Sequence, residues 1–173
     1  MTVAFRRAVP ADFPEVRRIT RDAYLRAGHF AADHPYMSVL EAVEHRAEHA
    51  QVWGAEAAGK VGAAVTLTFA VEPYSEIAQD GELEFRMLAV DPAHQGSGVG
   101  RAVVQKIVEH ARQLPGIEAI SITSATFMER AHGLYQSLGF RRAPERDWYV
   151  PGEDVLLWVF RLQLGKAKAL PMN

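Results

Sequence analysis

Glycine at every second position from 96 to 100, set between an apolar run and a helical pattern, constrains this chain more than any other feature. The segment reads Met87-Leu88-Ala89-Val90-Asp91-Pro92-Ala93-His94-Gln95-Gly96-Ser97-Gly98-Val99-Gly100-Arg101. Glycine has no Cβ and tolerates positive φ, so successive backbone N–H groups can converge on an anion. A helix beginning at Val99 adds the partial positive charge of its N-terminus. Arg101, in the first turn, opposes that dipole unless its charge meets a phosphate. A buried strand, an anion-holding turn and a helix make a unit of an α/β fold, with pyrophosphate as the natural guest.

Two familiar phosphate motifs are excluded. The dinucleotide fingerprint needs a third glycine at position 101, where arginine stands. Gly54–Lys60 matches the first seven positions of a P-loop, but Val61 follows instead of serine or threonine, and a strand follows instead of a helix.

Periodicity organises the rest. Asp12–Glu15, Ser38–Glu41 and Thr126–Glu129 carry the capping-box spacing and predict three helix starts. The first helix runs through Phe13, Val16, Ile19, Ala23, Tyr24 and Ala27 to a C-cap at Gly28; the second places Val39, Leu40, Val43 and Ala47 inward. Residues 51–56 and 61–69 read as strands joined by a turn at 57–60, and residues 70–81 as a loop. Residues 82–90 form a strand, apolar throughout from Met87 as if buried on both faces. The helix from Val99 carries Val103, Ile107 and Ala111 on one stripe and stops at Pro115-Gly116. A strand over 117–123, a helix over 127–138, strands over 140–142 and 155–162, and a loose tail from 163 complete the reading. One domain over 1–165 with a tail at 166–173 is expected, since a chain of 173 residues supports one core.

Composition narrows the function. With 19 basic and 21 acidic residues the net charge is −2, which gives no electrostatic case for nucleic acid or an anionic membrane as partner. No apolar stretch approaches the ~20 residues of a membrane helix, and the N-terminus carries no export signal, so a cytoplasmic protein is expected. The absence of cysteine removes thiolate metal sites and a cysteine nucleophile.

Gln95-x-x-Gly98-x-Gly100 after Leu88-Ala89-Val90-Asp91-Pro92 resembles the acyl-CoA motif of the GNAT N-acetyltransferase superfamily. Ala131-His132-Gly133-Leu134-Tyr135-Gln136-Ser137-Leu138-Gly139-Phe140 resembles its second signature, a helix with tyrosine ending in Leu-Gly-Phe. The order of elements agrees over nearly the whole chain. The resemblance implies a mixed α/β sheet flanked by helices, with the fourth and fifth strands splayed apart to admit pantetheine. It implies acetyl-CoA as acyl donor and an amine-bearing acceptor, whether a small molecule or a protein N-terminus or lysine. The cofactor-binding residues it implies are Leu88, Ala89 and Val90 for the pantetheine, and Gln95, Gly96, Ser97, Gly98, Val99, Gly100 and Arg101 for the pyrophosphate.

Acyl transfer from a thioester needs a neutral nucleophile, a site for oxyanion charge and a proton for the leaving thiolate. An alkylamine with pKa near ~10.4 is protonated at neutral pH, so a base must act directly or through water. Glu82 and Glu84, on the strand entering the glycine loop, are the candidate bases; their bland alternative is pairing with Arg86 or solvation. A backbone N–H near Leu88 is the resemblance's oxyanion donor. Tyr135 is its proton donor to the thiolate, although its place beside Ala131, Leu134 and Leu138 also fits core packing. With no cysteine and no nucleophile elbow, direct transfer in a ternary complex is expected. The rival in function is a domain that binds acetyl-CoA as a sensor or partner module without turnover.

His45-Arg46-Ala47-Glu48-His49 matches an inverted zinc-protease motif, against which stands the plainer reading of a solvated helix end; no metal is expected. The acceptor pocket is expected between the first two helices, the 70–81 loop and residues 143–152, with His34, Tyr36, Tyr74, Glu76 and Trp148 as candidate lining. Exposed edge strands near the C-terminus are compatible with a homodimer.

Overall fold

A computed structural model describes residues 2–165; the expected tail at 166–173 lies outside the described residues. The chain forms β1 (Ala4–Arg7), α1 (Phe13–Ala27), α2 (Pro35–Glu41), α3 (Val43–His49), β2 (Gln51–Ala57), β3 (Lys60–Phe69), β4 (Glu82–Val90) and α4 (Val99–Gln113). β5 (Ala119–Ala125), α5 (Glu129–Ser137), β6 (Arg141–Arg142), β7 (Trp148–Tyr149) and β8 (Leu156–Gln163) follow. The strands form one mixed sheet in the order β1-β2-β3-β4-β5-β8-β6, with β7 on β8. The β4–β5 pair is parallel, while β1–β2, β2–β3 and the pairs made by β8 are antiparallel.

Two compact units divide the chain. Among the described residues, the first holds 2–68, 72–74 and 85–106; the second holds 69–71, 75–84 and 107–165. In the first unit, Val16, Val43, Val52 and Ala64 bury together, with Ala8, Phe13 and Ala47 packed against them. Ile19 and Ala23 of α1 meet Ala89 of β4. Met37 and Leu40 of α2 meet Met87, ringed by Tyr24, Leu25, Phe30, Tyr36 and Tyr74. The β2–β3 hairpin turns at Ala58 and Gly59, with φ of 54° and 79°, as a two-residue turn with positive φ at both positions requires. Gly28, at φ 79°, ends α1, its N–H donating to the Leu25 carbonyl as a left-handed C-cap does.

In the second unit β5 pairs with β8 over the whole of Ala119–Ala125. His132 packs at a tilt against Trp158 and Phe160, Tyr135 lies against Phe140 and Phe160, and the Arg142 guanidinium sits 4.1 Å over the Trp158 ring. The β4–β5 register covers only Glu82–Glu84 against Ala119–Ser121, although β4 runs on to Val90 and β5 to Ala125. The expected splay of the fourth and fifth strands corresponds to this register, which ends after three residues.

Several expectations are corrected. Asp12 stands at the N-cap of α1 as expected, but its side chain makes no cap hydrogen bond, and the Ser38 and Thr126 boxes do not start their helices. Asp12 instead takes the Val9 N–H and the Arg6 guanidinium; α2 starts at Pro35 with the His34 ring accepting from the Tyr36 N–H; and α5 starts at Glu129 without a side-chain cap. A break at Ala42 splits the second helix into α2 and α3. β1 was not expected at all. The tail does not begin at 163: β8 reaches Gln163, and Leu164 is buried with its N–H on the Glu118 carbonyl.

Candidate active site

β4 delivers the chain to the glycine loop, and its backbone is irregular on the way. Met87 has φ 58°, left-handed for a residue with a side chain, which costs on the order of 1–2 kcal/mol and persists only where packing holds it. Met37 and Leu40 supply that packing. Beyond it Leu88 and Val90 are half-buried and alternate with buried Ala89. Asp91 then organises the turn. Its carboxylate accepts from the Ala93 N–H at 3.1 Å and from Arg18 of α1 at 2.8 Å, while its own N–H donates to the Gly62 carbonyl. The Arg18 hydrogen bond, against a smaller opposing effect of burial, holds the carboxyl below the usual carboxylate range. Gly62 lets this turn sit close: a Cβ there would lie 3.1 Å from the His94 ring.

Gln95, Gly96, Ser97 and Gly98 are exposed, with φ of 80° at Gly96 and 88° at Gly98. Val99 is buried and anchors α4, while Gly100 is half-buried and Arg101 exposed in the first turn. Gly100 lies inside the helix and has no positive φ, so only Gly96 and Gly98 meet the conformational demand read from the sequence. The loop is therefore open to solvent and held from behind by Val99 and Asp91, as a phosphate cradle on a helix N-terminus requires.

The candidate bases have other partners. Glu82, 2% exposed, takes Arg146 on both carboxylate oxygens (2.8 and 2.9 Å), Arg161 at 2.7 Å and the Gln79 N–H at 3.0 Å. Burial alone would raise its pKa; these donors outweigh it and bring the carboxyl down to about 2. Glu84 is fully buried, its carboxylate accepting from Ser75 Oγ and from the backbone N–H groups of Glu76, Ile77 and Ala78 at 3.0–3.2 Å. Its lone pairs organise the loop before β4. Neither pairs with Arg86, which donates to the Tyr74 carbonyl at 3.0 Å and to the Tyr36 hydroxyl at 3.4 Å. The sequence could not show this, because Arg146 and Arg161 lie 64 and 79 residues from Glu82.

Tyr135, on α5, is 8% exposed, and burial pushes its phenol well above the ordinary range, so it stays protonated through neutral pH. One turn earlier His132 is buried with Nε2 3.1 Å from Ser124 Oγ; burial keeps its imidazole neutral. His45 and His49 stack at 4.3 Å, but His45 Nδ1 is 2.6 Å from the Tyr74 hydroxyl and His49 Nδ1 meets the His45 carbonyl. Among the described residues no three histidine, aspartate or glutamate side chains converge as metal ligands, and no helix is long and apolar enough to cross a membrane. Arg18, Arg46, Arg146 and Arg161, all engaged in fixing these groups, carried no sequence signal beyond their charge.

Comparison with known proteins shows the family and the fold. Residues 13–140 match the acetyltransferase (GNAT) family. The chain is 31% identical over 138 residues to the N-alpha-acetyltransferase RimI of Mycobacterium tuberculosis, covering 78% of this chain and 80% of that one. It is 29% identical over 163 residues to the mycothiol acetyltransferase of Propionibacterium freudenreichii, covering 84% of this chain and 51% of that one. The N-acetylaspartate synthetase of Danio rerio is 35% identical over 74 residues, 42% of this chain; the match spans 26% of that protein's length. Among solved structures, a Salmonella typhimurium protein determined with its cofactor acetyl-CoA shares the fold at TM-score 0.67 and 22% identity, covering 98% of each chain. The ribosomal-protein-S18-alanine N-acetyltransferase of Escherichia coli does so at TM-score 0.69 and 16% identity, covering 99% of each.

Proposed function

Because the chain belongs to the GNAT acetyltransferase family, we propose that it moves an acetyl group from acetyl-CoA to an amine by direct attack in a ternary complex. The observation that carries this reading is the exposed glycine loop, with positive φ at Gly96 and Gly98, between the irregular strand β4 and the first turn of α4. The N–H groups from Gln95 to Arg101 hold the pyrophosphate, with the Arg101 side chain adding charge. The N–H and C=O groups of Leu88 and Val90 take the pantetheine amides. Ala89 supports them from the buried face.

The chemistry follows from what these residues hold. The left-handed turn at Met87 breaks the pleat of β4, and the Leu88 N–H beside it donates to the thioester oxygen as negative charge develops. Tyr135 supplies the proton to the departing thiolate, whose intrinsic pKa is near ~8.5. A phenol held protonated by burial is always loaded for that role, though its raised pKa keeps the donation late and the gain modest. Glu82 and Glu84 we assign to scaffolding: a carboxyl near pKa 2 inside two guanidinium groups is a poor base, and one accepting from Ser75 and three backbone N–H groups has no room to be one.

An amine panel with free-thiol detection tests the proposal. It includes aspartate, mycothiol precursors and short peptides with free α-amines, the acceptor types suggested by the names of the relatives. Thiol release that depends on one class of amine is expected. Tight acetyl-CoA binding with no release from any amine would leave a binding module in its place.

A further inference from the structure

The geometry points to Tyr74 and His45 as the route by which the acceptor amine loses its proton to solvent, an inference that rests on the acetyl-transfer reading above. An alkylammonium must shed a proton before it can attack, and both glutamates of β4 are engaged elsewhere. Within the first unit, Tyr74 packs against the cluster of Met37, Leu40 and Met87, which contains the irregular residue of β4 that precedes Leu88. Its hydroxyl lies 2.6 Å from His45 Nδ1, with the rings edge-on at 5.6 Å. His45 is exposed on α3, so this hydrogen bond runs from the aromatic cluster to water.

Two cations lie near the buried side of the pair. Arg86 donates to the Tyr74 carbonyl, and Arg46, 1% exposed, donates to Thr66 Oγ1 and to the Val39 and Leu40 carbonyls, neutral acceptors all. Arg46 acts electrostatically on Tyr24, Tyr36, Tyr74 and Arg86. Cations behind the phenol disfavour an ammonium bound beside it and assist its deprotonation. His45 faces His49 on the same helix and Tyr74, and its chain neighbour Glu44 pairs with Arg17 of α1.

The step balances as follows. A proton of the bound ammonium passes to the Tyr74 oxygen while the phenol's own proton moves to His45 Nδ1, and the imidazolium then gives its Nε2 proton to water. The neutral amine attacks the thioester carbon and the C–S bond breaks. The second N–H proton lost from the amine is balanced by the one the sulfur gains. Tyr74 touches the acceptor; His45 acts through it.

The test uses His45→Gln and Tyr74→Phe in the full chain, with the alkylamine acceptor found in the panel and its hydrazide analogue, which is already neutral at pH 7. Turnover of the alkylamine at saturation is expected to fall about 10²-fold in both variants, the lower end of acid–base contributions. Turnover of the hydrazide should hold within about twofold, and thermal protection by acetyl-CoA should be unchanged. Added imidazole should restore alkylamine turnover in a His45→Ala variant. Equal loss with both acceptors would make the pair structural, and an unchanged alkylamine rate would overturn the route. A wild-type protein that releases no thiol with any amine would instead overturn the acetyl-transfer reading itself, and this inference with it.

Discussion

Single carboxylates in this protein take their roles from partners far away in sequence. Glu82 is the clearest case: burial opposes its charge, and Arg146, the Gln79 N–H and Arg161 more than compensate, so its carboxyl falls from the ordinary 4.5 to about 2. A depressed folded-state pKa contributes stability that is fully present above the unfolded value and is lost as pH falls through the folded one. Urea unfolding followed from pH 6 to pH 2 should therefore show Glu82 losing its contribution between about 4.5 and about 2. Glu82→Gln should cost on the order of 3 kcal/mol at neutral pH, because two guanidinium groups lose a buried partner, and its acid limb should be flatter. Parallel curves for the two proteins would show that the ion pairs contribute nothing. Tyr135 is the opposite case, a group kept uncharged by burial. Tyr135→Phe retains the ring against Phe140 and Phe160, so stability should change by no more than about 1 kcal/mol. Turnover should fall by about 10²-fold while acetyl-CoA still protects, since its phosphate contacts are elsewhere. Full activity in this variant, measured with saturating acceptor, would leave Tyr135 as a packing residue.

At the scale of elements, the strand–loop–helix from β4 to α4 combines one strained residue, two glycines at positive φ and one anchor. Met87 is held left-handed by packing, Gly96 and Gly98 adopt positive φ without penalty, and Val99 pins the helix start. The difference between Gly98 and Gly100 matters here, because only the former sits at a conformation that a side chain resists. Gly98→Val should therefore yield a folded protein, destabilised by roughly 1–2 kcal/mol, whose melting temperature no longer rises with acetyl-CoA. Unchanged protection in that variant would reduce the glycine to a turn former. The helices on the other side of the sequence show how local signals lose. His34, not Ser38, caps α2, and the Arg46 guanidinium takes the Val39 and Leu40 carbonyls at its end, so a helix read as continuous becomes two. A buried cation that satisfies orphan carbonyls outweighs a capping box worth about 1 kcal/mol.

For the molecule as a whole, ligand linkage is the simplest prediction: acetyl-CoA at a hundred times its dissociation constant should add ~2.7 kcal/mol of stability. That corresponds to a rise in melting temperature on the order of 5–10 °C for a chain of this size, and neither NAD nor ATP should reproduce it. Equal protection by ATP would mean that the loop recognises phosphate alone. What the amino-acid sequence determined by itself was the local architecture. The glycine loop between β4 and α4, the apolar stripe of α4, the Ala58-Gly59 turn and the Gly28 cap are all present where period and turn chemistry placed them, because each depends on residues within a few positions. Tertiary structure alone decided the rest. It paired β1 with β2 across some fifty residues and assigned Glu82 to two arginines 64 and 79 positions away. It also brought the Tyr74 hydroxyl to His45 across 29. Backbone conformation is governed by near neighbours, whereas the role of an ionisable side chain is governed by whichever charges and donors the fold brings beside it.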